Sequence, residues 1–139
     1  MGITLVDSSQ VIYEFLTVSG NAFSTAVGTR VWRDVHPASF MNTQKAVVFM
    51  VQEEVERNCD DQIAEITAKC FGGSNKPSDA RATARLLFGR LDSVRGRVTT
   101  GEITLAKCLL FDMGPFVDPD TGWPIHLSKY EVRLNQTGA

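Results

Sequence analysis

The stretch that most constrains this chain runs from Gln62 to Val94, where a two-residue period gives way to a helical one across a short break. After Gln62, Ala64, Ile66, Ala68 and Cys70 alternate with Glu65, Thr67 and Lys69, the period of a strand with one buried and one wetter face. Gly72-Gly73-Ser74-Asn75-Lys76-Pro77 breaks that pattern, and Ser78-Asp79 opens a predicted helix to about Val94. Ala80, Ala84, Leu87, Leu91 and Val94 then recur at steps of four and three, one apolar stripe. Both the first half of the stripe and the strand's buried face are small. The helix is therefore expected to fold back onto its own sheet at close range, alanine against alanine.

At 139 residues the chain has the size of one ordinary domain, and folding alone would bury ~68% of its unfolded surface. A net charge of −2 argues against a surface built to hold a polyanion, although Arg81, Arg85, Arg90, Arg95 and Arg97 share one segment. That cluster reads as a solvated helix face. Cys59, Cys70 and Cys108 are too few and too widely spaced for a disulfide framework or a CxxC metal pair. Cys70 and Cys108 fall in apolar strand patterns, and Cys59 falls in a polar turn where exposure is expected. No apolar run approaches the ~20 residues that span a bilayer, so no membrane association is expected. The N-terminus lacks the basic-then-apolar plan of a signal peptide, which points to a cytoplasmic site of synthesis.

Asp7 and Gln10 are spaced as a capping box for a first helix through Val11, Ile12, Phe15, Leu16 and Val18, with Gly20 as its stop. Asn21 caps a shorter helix ended by Gly28. Thr29–Trp32 reads as a short strand, His36–Gln44 as a loop, and Lys45–Val55 as a longer strand. Arg57–Asp61 is a polar hairpin turn. Gly96 and Gly101 flank a link able to pair as an edge strand, and Ile103–Phe111, apolar on both faces, is expected at the sheet's centre. Asp118-Pro119-Asp120-Thr121-Gly122 is a turn, and Tyr130, Val132 and Leu134 point inward from a final strand. Residues 1–139 thus read as one α+β domain, with a single mostly antiparallel or mixed sheet of four to five strands and helices packed on it.

Candidate sites are few. The glycine-rich turn at 72–78 lacks the second glycine of a phosphate loop, and Pro77 removes an amide donor. Asp112, Asp118 and Asp120 lack the register of a calcium loop. His36 and His126 have no partner at metal-ligand spacing, and His126 is expected to be a partly exposed sheet residue. A Cys–His pair that meets only in space stays open. No catalytic, cofactor or metal site is predicted. Phe40 and Met41, apolar residues in a polar loop, and Trp123, beside a turn, are the candidate subunit-interface residues.

These elements, in this order, resemble the tail completion or tail terminator proteins of long-tailed bacteriophages, the lambda-type minor tail proteins. The resemblance rests on Ile12–Leu16, Gly28–Trp32, Lys45–Phe49, the strand, turn and helix through Ala80, Ala84 and Leu87, and Asp118–Trp123 with the strand after it. It implies a structural virion protein at the head-proximal end of the tail, assembled in the host cytoplasm. Such proteins cap the tail tube as a ring, commonly a hexamer, end its polymerisation and meet the head-side connector. DNA passes through the ring without specific binding. Alternatives are another ring subunit of the phage neck, a head-closure or adaptor protein, and, more remotely, a small ligand-binding domain or enzyme.

Overall fold

The computed structural model describes residues 3–4, 6–57, 61–135 and 137–138. Its centre is a six-stranded sheet in the order β2-β3-β4-β7-β6-β5, formed by Val31–Arg33, Ala46–Arg57, Asp61–Phe71, Pro124–Asn135, Glu102–Val117 and Val94–Arg97. β1 (Ile3–Thr4) and β8 (Thr137–Gly138) form a separate two-stranded ribbon. All neighbours are antiparallel except β2 and β3, so the sheet is mixed. Helices α1 (Ser8–Leu16), α2 (Ala22–Val27) and α3 (Pro77–Leu91) share one core with the sheet.

The strand count exceeds the four to five expected. β2 overlaps the short strand read at Thr29–Trp32, and the four-residue β5 is too short for a two-residue period to declare itself. An edge strand does form, but as Val94–Arg97, with Gly96 inside it, while most of the link between Gly96 and Gly101 is the turn into β6. The hairpin between β3 and β4 forms with Arg57 opposite Asp61, and Cys59 lies outside the described residues.

The β4–α3 unit is as anticipated on its inner side. Ala64, Ile66, Ala68 and Cys70 are buried in one cluster with Ala84, Leu87 and Leu91. The turn is so tight that a Cβ on Gly72 would lie 2.3 Å from the Ala80 nitrogen, which only glycine avoids. α3 starts one residue early, with Pro77 in its first turn, where a missing N–H costs nothing. It ends at Leu91, three residues short of Val94, which starts β5. Thr83, inside the stripe, donates to the Phe71 carbonyl at 2.9 Å and ties helix to strand.

The caps behave locally. The Asp7 carboxylate accepts the Gln10 N–H at 3.1 Å, while the Gln10 amide turns to Glu14, so half of the expected box forms. Asn21 and Ser24 complete a full box for α2, and Gly28 caps its end with φ 61°. α1 stops at Leu16, not at Gly20, and Val18 is exposed.

Two placements differ from expectation. Ile103–Phe111 is not central: it belongs to β6, next to the edge strand. β5 accompanies β6 only through Ala106, so Lys107–Val117 is itself the sheet's rim. β6 also runs six residues past Phe111, through Gly114 and Pro115, because four register shifts against β7 absorb the extra length. Bulges of this kind bend a strand and raise its twist, which curls the sheet.

The second difference concerns β2 and β3. Parallel neighbours need a crossover of about a dozen residues, and residues 34–45 supply it. With the helices on one face, the crossover packs on the other. There Phe40 forms a second, smaller core with Ala46, Val48, Phe71 and Ile125.

Candidate functional site

The crossover is the most distinctive surface feature, and it is held at two points. Phe40, 9% exposed, packs against Trp32 (ring centroids 4.8 Å), Phe71 (5.3 Å) and Trp123 (5.4 Å). Asn42 clamps the turn after β4, donating to the Ser74 carbonyl at 2.7 Å and accepting the Gly73 N–H at 3.1 Å. Gly73 is required there: its φ is +81°, and a Cβ would lie 2.8 Å from the Gln44 backbone. Between these anchors Met41 projects outward, 68% exposed. The three candidate interface residues therefore separate. Phe40 is committed to its own sheet and is not a free anchor, Trp123 half-covers it, and Met41 faces outward.

The Asp118 turn is built as its residues suggest. Gly122 N–H donates to the Asp118 carbonyl at 2.7 Å, and Thr121 donates to the Asp118 carboxylate at 2.7 Å. Sequence reading misses the partner across the sheet: Lys69 donates to the buried Asp118 carboxylate at 2.9 Å. Burial pushes this carboxyl up, but the hydrogen bonds from Lys69 and Thr121 and the Lys69 charge outweigh it and hold it below the usual carboxylate range. Asp120 is exposed, and the Asp112 side chain lies outside the described residues. Among the described residues no group of three or more His, Cys, Asp or Glu could hold a metal ion. None of the helices described is long and apolar enough to cross a membrane.

The glycine-rich turn spends its amides internally, Gly73 on Asn42 and Lys76 on the Ser74 hydroxyl. Ser74 in turn donates to Asp79 at 2.5 Å. A phosphate would find those donors taken. The histidines differ from expectation. His126 is buried, because β7 is a central strand between β4 and β6. It sits directly opposite Cys70, so a cysteine and a histidine do meet in space. Cys70 is fully buried. Burial and the nearby Asp92 push the Cys108 thiol up, away from the thiolate a nucleophile requires. His126 also borders a shallow cleft of about 450 Å³ with Ser78, Arg81 and Gly114, among the described residues. His36 packs against Phe40 with the two rings tilted and their centroids 5.4 Å apart.

The arginines do not form one patch. Arg90 lies over the Phe15 ring at 3.8 Å and donates to the Phe15 carbonyl, and burial lowers its pKa. Arg97 pairs with Glu102 at 3.7 Å, and Arg81 and Arg85 are exposed on α3.

No protein family and no curated protein matches the chain in sequence. In three dimensions it is similar to a chain of a solved particle described as the virion of a native gene transfer agent. The TM-score is 0.66 at 13% identity, over 92% of this chain and 94% of that one. At that identity the likeness establishes the fold over the matched length.

Proposed function

We propose that this chain is a structural virion protein that caps a phage-type tail tube as a ring of identical subunits, six by the family resemblance. In this role it ends tube polymerisation and presents the surface that joins the head-side connector. The observation that carries the reading is the likeness, over nearly the full length of both chains, to a chain of a gene transfer agent virion, a phage-like particle. The order of elements that resembles the tail terminators supports the finer assignment. Its place would be the head-proximal end of the tail, with the tube protein and the connector as neighbours and DNA passing through unread. The role requires no catalysis. The crossover with Met41, backed by Phe40 and Trp123, is the proposed subunit-contact region.

The test is electron microscopy of particles assembled without this chain. Tubes of uncontrolled length, unjoined to heads and corrected by adding the protein back, are the expected result. Tails of normal length that fail to join heads would instead make it a head-closure or adaptor subunit. Normal, infective particles would remove the structural role altogether.

A further inference from the structure

The rim of β6 carries a contradiction for a chain that works alone. Exposed sheet edges are ordinarily charged, which prevents sticky contacts. Between Lys107 and Val117 only Lys107 and Asp112 are charged, while Leu109, Leu110, Phe111, Phe116 and Val117 are all exposed. Backbone pairing is at the same time discouraged. The bulges break the regular ladder, Pro115 has no N–H to give, and the Asp92 carboxylate accepts the Cys108 N–H at 3.2 Å. An edge blunted against strand addition but left apolar is suited to packing by side chains.

Register fixes the direction of the row. Leu110, Met113 and Phe116 lie opposite Lys129, Leu127 and Ile125. Ile125 and Leu127 belong to the small core under the crossover, so Leu110, Met113 and Phe116 point to the face away from the helices, whereas Phe111 packs its ring against Phe88 of α3, with centroids 4.8 Å apart. At ~200 Å² for a fully exposed large side chain, Leu110 and Phe116, with Val117 at the strand's end, leave roughly 300 Å² uncovered. That is somewhat over a third of the ~800 Å² one partner gives to a standard interface.

The sheet's other edge is β2, and the remaining large exposed apolar residues near it are Val35 and Met41, 67% and 68% exposed. Val35 follows β2 directly, and Met41 borders a concavity with Arg30 and Trp32 on the same helix-free side. One apolar patch thus lies at each end of a six-stranded sheet. Two different surfaces on opposite edges of one chain suit a head-to-tail contact, which closes a ring where the rotation between copies allows it and otherwise runs on as a filament.

We propose that the β6 rim of one copy packs against the Val35–Met41 crossover of a second copy of this chain. The inference builds on the ring reading above but can fail independently of it. The two variants to compare are Phe116→Lys, at the rim, and Met41→Lys, at the crossover, with solution mass measured by sedimentation across a concentration series. The wild-type chain is expected to associate, and each variant alone to associate at least about tenfold more weakly with an unchanged far-ultraviolet spectrum. An equimolar mixture should form a discrete heterodimer and stop there, because it contains one intact rim and one intact crossover. If Phe116→Lys unfolds the chain, Val117→Lys, at a position 69% exposed, replaces it. Self-association of Met41→Lys into a dimer would mean that the rim pairs with itself, and the proposal fails. It fails equally if rings persist in every variant, although tube capping would then survive through another surface. A wild-type chain that stays monomeric at every concentration also overturns the contact, whereas capping stands or falls separately, on the tube lengths seen by electron microscopy.

Discussion

The side chain of Gln62 pairs with the backbone of Val6 as a neighbouring strand would. Its amide oxygen accepts the Val6 N–H at 3.0 Å, and its amide nitrogen donates to the Val6 carbonyl at 2.9 Å. Gln62 is fully buried and Val6 nearly so. One glutamine thereby satisfies two backbone groups in the segment leading into α1.

Gln62→Leu keeps the bulk but leaves both Val6 groups without that partner. An unsatisfied buried polar group costs about 1–3 kcal/mol, so chemical denaturation should show a loss in at least that range. A Gln62→Leu protein as stable as wild type would mean that water reaches Val6 freely.

Ala84 is fully buried in the cluster that holds Ala64 and Ala68. Ala84→Leu adds bulk inside that buried cluster, and overpacking of this kind costs about 1–3 kcal/mol. Thermal melting reads it directly. An unchanged melting temperature would show that the helix can shift outward without penalty.

Phe40 and Met41 are adjacent in sequence and opposite in consequence. Phe40→Asp buries a charge among Trp32, Phe71 and Trp123 and is expected to cost the fold itself. Met41→Asp should leave stability within about 0.5 kcal/mol of wild type, as at an ordinary surface site. The pair is distinguished by melting the two proteins side by side. Equal stability of both would show that the crossover is not anchored through Phe40.

Asp118 makes stability depend on acid. Its folded pKa is depressed, so its contribution is complete above the unfolded aspartate value, about 3.9, and is lost as pH falls through the folded value. Asp118→Asn removes the charge that Lys69 meets. The variant should be less stable than wild type at pH 7, and the gap should narrow as pH falls below about 4. A gap that stays constant down to strong acid would show that the Lys69–Asp118 pair contributes nothing that titrates.

Local order was legible in the residues themselves. The alternation of Ala64, Ile66, Ala68 and Cys70, the stripe from Ala80 to Leu91, the Asn21 cap and the Asp118–Gly122 turn all follow from neighbours within four positions. At that range, strand and helix periods and side-chain-to-backbone bonds operate. What the tertiary structure decided depends on partners far along the chain. The parallel pairing of β2 with β3 makes the 36–44 loop a crossover and buries Phe40. The short reach of β5 turns an apolar strand that reads as central into a rim. The central place of β7 buries His126 opposite Cys70, and Val6 draws Gln62 inward. A run of apolar residues has the same spelling in the middle of a sheet and at its edge. Only the pairing of strands distant in sequence determines which one it becomes.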